Sequence, residues 1–312
     1  MKNIIITHKD VDGIASGAIV LRTIGDARIR FASPRSIANV LSRIPEGNGE
    51  IYILDIAVNS STLHEIAKEL CRLKEGGRRI IWVDHHPWPK EAIELLSKYV
   101  DKLIVKPSPS AASLVKDIFA EDDLVCEMIA QIGDDADTGR YEMELSNEYY
   151  WAGRDPGRRV YLLKTLAEGN FEDEKVKRWA EEQREKDRKL LDKMISEAIE
   201  IRFTKSGKKY ALIDLRPKGG PGTAIARELA KREGIDFSLV LYSCDGGFGL
   251  YRGKGDVRLK EICESYKGGG HEYACGGRLR FNFIERILCS IFGRRYRPRK
   301  VKDLIRKVEE KV

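Results

Sequence analysis

Four of the five histidines sit in local sequences rich in metal- and phosphate-binding residue types. His8-Lys9-Asp10-Val11-Asp12-Gly13 follows the apolar, β-branched run at residues 3–7. In an extended segment alternate side chains point the same way. His8, Asp10 and Asp12 are therefore expected to project together from a strand's carboxyl end, where open parallel sheets bind ligands. Three such donors suit a hard or borderline divalent cation; a polar turn capping the next helix is the alternative. Asp55 ends the strand-like run at 51–54, where a ligand and a helix N-cap are equal readings. Asp84-His85-His86 follows another apolar run, RIIWV. Two adjacent histidines and an aspartate at a strand end do not serve core packing, so they point to metal or phosphate chemistry. Gly133-Asp134-Asp135-Ala136-Asp137-Thr138-Gly139 places three carboxylates in four positions. They repel one another unless a cation removes the penalty, or they form a solvated acidic loop. His64, in a helical pattern, reads as a surface residue.

Jointly these clusters supply ligands for two divalent ions about 3.5–4 Å apart, sharing one carboxylate. Such a pair activates a water molecule and neutralises charge on a phosphoryl oxygen, which is the chemistry of phosphoester hydrolysis. The second half holds a different constellation, Lys267-Gly268-Gly269-Gly270-His271. Its glycines admit backbone N–H groups close to a phosphate, and His271 adds a donor; a flexible turn is the alternative. Gly219-Gly220-Pro221-Gly222 precedes a helix and reads as a structural turn in preference to an anion site.

The elements that position these residues follow from periodicity. Strand-like runs fall at 3–7, 28–31, 51–54, 79–83 and 103–105. Helical patterns lie after Gly13 and at 37–44, 63–70, 91–99, 111–119 and 124–132. This alternation predicts a parallel sheet covered by helices. Residues 172–199 are charged and free of Gly and Pro, with Val176, Trp179, Leu190, Leu191, Met194 and Ile195 as apolar positions, so one long exposed connector helix is expected. A second α/β unit begins near residue 200, with strands at 210–214 and 237–242, a helix from about Thr223, and a short helix at 301–311.

Composition sets the outer bounds. The 312 residues allow two domains at roughly 150 residues each. Hydrophobic residues at 42% and charged residues at 34% describe a globular chain with a highly charged surface. No run approaches the ~18 apolar residues of a membrane span. The start, MKNIII, has no signal-peptide pattern, so a cytoplasmic location is expected. Two Gln and seven Asn against 105 charged residues suggest a thermophilic source. The six cysteines, at 71, 126, 244, 263, 275 and 289, form no CxxC pair, and reduced thiols are the expectation. From Arg286 onward ten Lys/Arg stand against three Asp/Glu, a net +7 that equals the net charge of the whole chain. This basic tail suits a nucleic-acid backbone, with a protein contact as the alternative.

The order HKDVDG, LDIA, VDHHP and DDADTG resembles the DHH phosphoesterase superfamily, which includes RecJ-like exonucleases, nanoRNases, family II pyrophosphatases and exopolyphosphatases. GGGH at 268–271 resembles the signature of the DHH-associated domain of the RecJ and nanoRNase branch. The compact His8–Asp10–Asp12 spacing departs from the pyrophosphatase pattern.

The resemblance implies an α/β fold, in which a parallel-sheet DHH domain and a smaller α/β DHH-associated domain are joined by a long helix. The implied boundaries are 1–165 for the catalytic domain, 166–200 for the connector, 201–285 for the substrate-binding domain and 286–312 for the basic tail. It implies two Mn2+ ions, with Mg2+ as a substitute. His8 and Asp10 would hold one, Asp12, His85 and Asp137 the other, and Asp55 would bridge them. His86 would contact the scissile phosphate, and Asp84 would act beside it or as a further ligand. Arg252, Gly268, Gly269, Gly270 and His271 would bind substrate. The implied activity is a 3′→5′ exonuclease on single-stranded DNA or short oligonucleotides that releases mononucleotides. Compact archaeal members resemble the Hef-associated nuclease, which makes a DNA-repair helicase/nuclease (Hef) and a second copy of the chain the expected protein partners. The alternatives are a nanoRNase or pAp phosphatase, a cyclic-dinucleotide phosphodiesterase, and a scaffold that has lost its ligands; here all six ligand positions are filled.

Overall fold

The computed structural model describes residues 3–312, apart from the side chains at 191 and 195–197. Met1 and Lys2 of the expected first domain, and the side chains of Leu191 and Ile195 of the connector, lie outside the described residues. The chain forms two compact units, Met1–Gln183 and Arg184–Val312.

The first unit runs β1 Asn3–Thr7, α1 Val11–Ile24, β2 Ala27–Phe31, α2 Ile37–Leu41, β3 Gly49–Leu54, α3 Leu63–Glu75, β4 Arg78–Asp84, α4 Lys90–Leu96 and β5 Lys102–Val105. Five further helices follow: α5 Ala111–Phe119, α6 Leu124–Asp137, α7 Glu144–Ala152, α8 Arg159–Ala167 and α9 Glu174–Ala198, whose last fifteen residues belong to the second unit. The strands form one parallel sheet in the order β2-β1-β3-β4-β5. Ile5, Ile6, Ile51, Ile53 and Trp82 are fully or almost fully buried, as expected for a sheet covered on both faces. The register pairs Thr7 with Leu54 and Leu54 with Val83. Three adjacent strands therefore end level with one another, at the switch point where the strand order reverses.

The second unit continues with β6 Ile199–Phe203, β7 Lys209–Asp214, α10 Gly222–Glu233, β8 Phe237–Leu241, β9 Gly247–Arg252, α11 Lys260–Glu264, β10 Gly269–Gly270, β11 Ala274–Arg278, α12 Phe283–Phe292 and α13 Arg299–Lys311. Its sheet is mixed, in the order β10-β11-β9-β8-β7-β6, with only β7 and β8 parallel.

Three expectations are corrected. The residues at 286–312 are not a tail separate from the second domain, although the helix expected at 301–311 is present as α13. α12 crosses the expected boundary at 285, and α13 buries Val301, Leu304, Ile305 and Val308 in one cluster with Leu212, Phe237 and Leu250. The spacing i, i+3, i+4, i+7 is an amphipathic stripe, and its apolar burial outweighs the surrounding charge. Glu309 accepts hydrogen bonds from Arg202 and the Tyr210 hydroxyl. Secondly, the acidic segment at 133–139 is not a loop: Asp134, Asp135 and Asp137 lie in the last turns of α6. Thirdly, four of the six cysteines are not free thiols. Cys244 pairs with Cys289 and Cys263 with Cys275, while Cys71 and Cys126 are free. Spacing alone could not reveal the first bridge, which closes 45 residues by tying α12 to the loop after β8.

Among the described residues no helix is long and apolar enough to cross a membrane. Titration of the denatured, unreduced protein with a thiol reagent is expected to find two thiols, rising to six after reduction. Closing a loop of 45 residues stabilises by about 4 kcal/mol in the chain-entropy model. Cys289→Ser is therefore expected to lower the unfolding midpoint clearly; an unchanged midpoint would show that the bridge is absent in solution.

Candidate metal centre

The carboxyl ends of β1, β3 and β4 deliver His8, Asp55 and Asp84-His85-His86 to one place. Asp12 reaches it by another route. The segment 8–12 is not one extended run: Asp10 caps α1, accepting from the Gly13 N–H at 3.0 Å, and Asp12 lies in the helix's first turn. A side chain at position 13 would not fit, since a Cβ there would stand 2.5 Å from the His8 carbonyl oxygen. Asp12 is fixed by the start of α5, about a hundred residues on in the chain, where the Ala111 and Ala112 N–H groups each donate at 2.8 Å. Such a helix start favours a carboxylate.

The side chains fall into three overlapping groups of metal-ligand type: His8, Asp10 and Asp55; Asp12, His85 and Asp137; and Asp55, His85 and His86. Within each group the ligand atoms lie within 4.8 Å of one another. His8 Nδ1 stands 2.6 Å from Asp10 and 3.6 Å from Asp55. His85 Nε2 stands 3.7 Å from Asp12, 3.7 Å from Asp55 and 3.5 Å from Asp137. Asp55 thus reaches both the His8 and the His85 sides, the place expected of a bridging carboxylate. It is not a helix N-cap. Its φ of 54° is a left-handed conformation that a non-glycine residue adopts at a cost, a feature that concentrates at functional sites.

The surrounding groups hold these in place. Asp84 is fully buried and belongs to none of the three groups. It accepts from the His85 N–H at 3.0 Å and the Trp88 indole at 2.6 Å, and pairs with His86 Nδ1 at 2.8 Å. Its geometry is that of a residue that orients His86. His85 Nδ1 faces the Ser108 carbonyl at 3.1 Å, which directs Nε2 to the carboxylates. Asp134 accepts from Ser110 and Ser113, and Asp135 from the N–H groups of Glu142 and Met143 and the Ser146 hydroxyl. These two carboxylates brace α6, and Asp137 is the one that faces the cluster.

Burial and crowding set the protonation. Burial and the Asp12 and Asp10 charges raise the Asp55 carboxyl well above the usual range, and the same causes push Asp137 up to about 8. Burial also raises Asp12, with the neighbouring Asp10 adding to it. Burial opposes the charged form of His8, but Asp10 and Asp55 outweigh it and hold the imidazolium well above its ordinary value. Asp10 is correspondingly held below its usual range by His8 despite its burial. His86 is raised by Asp84 against the cost of burial. Buried carboxylates that repel one another, interleaved with imidazoles, are a donor set that fits divalent cations.

The comparisons with known proteins agree with this geometry. Residues 2–144 match the model described as "DHH family, N-terminal domain". The chain carries a DHH-family N-terminal domain. All the clustered residues lie inside the matched DHH segment. Among solved structures, the chain resembles the DHH domain of a member of a ribosomal-protein family, with 15% identity, TM-score 0.63, and coverage of 98% of this chain and 86% of that one. It also resembles a pGpG-specific phosphodiesterase from Vibrio cholerae, with 14% identity, TM-score 0.54, and coverage of 94% and 98%. A third is RecJ in complex with Mn2+ from Thermus thermophilus, with 15% identity, TM-score 0.52, and coverage of 95% of this chain and 52% of that one. These likenesses are of fold. No curated protein matches the chain.

In the second unit, Arg252, His271 and the glycines come together around a residue that the sequence did not single out. The Tyr273 ring stacks on His271 with centroids 5.1 Å apart, and the Arg252 guanidinium lies 5.6 Å from its centroid. The Arg252 N–H donates to the Tyr273 carbonyl at 2.8 Å. Gly268 is required by close approach, because a Cβ there would stand 1.9 Å from the Gly276 carbonyl oxygen. Gly269 and Gly270 form β10 against β11. Gly219 and Gly220 lie before α10 in a turn closed by the Gly219 N–H on the Leu215 carbonyl. The only signal for Tyr273 was its place two residues after His271.

The signs of the shifts fix a pH dependence. Asp137 and His8 both have raised values in the folded chain, so each stabilises the metal-free fold at lower pH and loses that contribution as pH rises. The window for Asp137 runs from the ordinary carboxylate range up to about 8, and that for His8 extends upward from its ordinary value. Metal-free protein is therefore expected to melt lower at pH 8.5 than at pH 6. Mn2+ is expected to raise the midpoint more at pH 8.5, because its ligands must be deprotonated. A metal-induced rise that shrinks with pH would contradict this site.

Proposed function

We propose that the protein is a two-metal phosphodiesterase, and that it acts as a 3′→5′ exonuclease on single-stranded DNA or short oligonucleotides, releasing mononucleotides. The observation that carries this reading is the arrangement of His8, Asp10 and Asp55 beside Asp12, His85 and Asp137, with Asp55 reaching both sides. Two ions held there supply positive charge at a phosphoryl oxygen and an acidified water as nucleophile. The chain's own residues do the rest. His8 and Asp10 would hold one ion, Asp12, His85 and Asp137 the other, and Asp55 would serve both. Asp84 fixes the His86 ring through Nδ1, which turns Nε2 toward a non-bridging phosphate oxygen. Asp84 raises the proton affinity of His86 against the cost of burial, which favours a ring that donates to the developing negative charge. Arg252 and His271, with Tyr273 between them, bind a further phosphate and a base.

The metal proposed is Mn2+, with Mg2+ as a substitute; the RecJ structure that this chain resembles is a complex with Mn2+. A cytoplasmic role in DNA repair, beside a Hef-type helicase or in a homo-oligomer, is the setting proposed. The low share of Gln and Asn supports a heat-stable, thermophile protein.

The test is Mn2+-dependent degradation of 5′-labelled single-stranded DNA and RNA of matched sequence, beside pAp and cyclic di-AMP, with Asp12→Ala/His85→Ala as control. The expected result is a ladder shortening from the 3′ end that the control lacks. Intact oligonucleotides with cleaved pAp or cyclic di-AMP would replace the exonuclease by a nanoRNase-type or cyclic-dinucleotide enzyme. Asp84→Asn is expected to lower kcat by about 10–100-fold, the usual cost of a lost orienting partner, while leaving Mn2+ affinity nearly unchanged. An equal loss of metal binding would make Asp84 a ligand.

A further inference from the structure

The second unit contains a groove of about 630 Å³ where β7 ends and α12 ends, within the ~300–1,000 Å³ of small-ligand sites. At its floor is Arg216, whose side chain is 1% exposed. Asp214 takes two of its donors, Nε at 2.8 Å and Nη2 at 2.6 Å. The third nitrogen, Nη1, is buried and has no hydrogen-bond partner among the described residues. An unpaired buried donor costs about 1–3 kcal/mol. Here it belongs to a guanidinium locked in place by Asp214, the one acidic residue among the described residues that line the groove. Lys193, Lys218 and Arg295 stand around the rim. Leu215 and Phe292, the latter 52% exposed, supply apolar surface beside them.

This groove is separate from the Arg252 constellation. Arg252 pairs with Phe237 at the start of β8, whereas Asp214 pairs with Leu241 at its end. Those positions are about 13 Å apart along the strand, at ~3.3 Å per residue.

We propose that the groove is a second anion site, which takes the phosphate of a nucleotide on Arg216 and the rim cations and its base against Phe292. The guanidinium nitrogen that Asp214 leaves without a partner, Nη1, can donate a charge-assisted hydrogen bond to a phosphate oxygen. Several cations around one acceptor suit a dianion, and an exposed aromatic ring suits a stacked base. The proposal does not depend on the metal centre. The nucleotide is either free or part of a single strand, and the test separates the two.

Binding of AMP by calorimetry and of fluorescein-labelled dT8 by polarisation would be measured in EDTA, which removes the metal-dependent site, and in an Arg252→Ala background, which removes the other phosphate contact. The rim carries the test because Arg216 is buried with Asp214. Lys218→Glu/Arg295→Glu is expected to weaken AMP binding at least tenfold. If dT8 alone binds and is weakened by that pair, the site reads the phosphates of a strand. If neither probe binds, or if both bind the charge-reversed protein unchanged, the proposal is overturned. Loss of the Mn2+-dependent activity with this binding intact would count against the phosphodiesterase reading alone.

Discussion

Negative charge concentrated in a buried space is the constraint on which the rest of the first unit depends. Asp12 and Asp55 are almost wholly buried, and Asp10 and Asp137 share their space. Left to themselves, such groups would take up protons or admit water. The fold instead surrounds them with fixed dipoles and imidazoles. The start of α5 holds Asp12 through two N–H groups, and His8 and His85 stand between the carboxylates. That arrangement requires three parallel strands to end level and α1, α5 and α6 to converge on one point. The parallel sheet is thus the scaffold for an electrostatic arrangement that is incomplete without cations.

Under the proposed reading, the two units would meet phosphate by different physics. In the first, the groups are acidic and act through ions. In the second they are cationic, aromatic or backbone: Arg252, His271 and Tyr273 at one end of the mixed sheet, and Arg216 with its Asp214 brace at the other. The Tyr273 ring lies against both the imidazole and the guanidinium and braces them, so a ligand taken there would meet groups already in place. That preorganisation reduces the side-chain entropy lost on binding. The glycines beside it serve packing first. Gly268 leaves no room for a side chain against Gly276, which lets β10 close onto β11.

Much of the metal cluster was legible because each ligand follows an apolar run of strand length, and the end of such a run in a parallel sheet is a shared edge. His8, Asp55 and His85 could be placed that way. The convergence of Asp12 was expected for the wrong local reason: it points inward from the first turn of a helix, not from an extended chain. For Asp134, Asp135 and Asp137, the residue types alone are equivalent, and only the family resemblance pointed to Asp137. The helix phase and the serines at the start of α5 and in α7 give the physical reason: two brace and one faces the cluster. The disulfides and Tyr273 depend on contacts between segments far apart in sequence or on hairpin register, which no local pattern encodes.

The C-terminal segment shows how charge can hide structure. Ten cations in 27 residues resemble a solvated tail, yet four apolar residues at helical spacing are enough to seat α13 in the core. The cations on its outer face then cost little, because side chains such as Lys and Arg bury their stems and keep their charge in water. Meanwhile α12 is tethered by Cys289 on one side and exposes Phe283, Ile284, Ile287 and Ile291 on the other. Net charge therefore measures what the surface attracts, while periodicity decides what is folded. In this chain the same residues do both: the segment that closes the core of the second unit also brings Arg295 and Phe292 to the groove around Arg216.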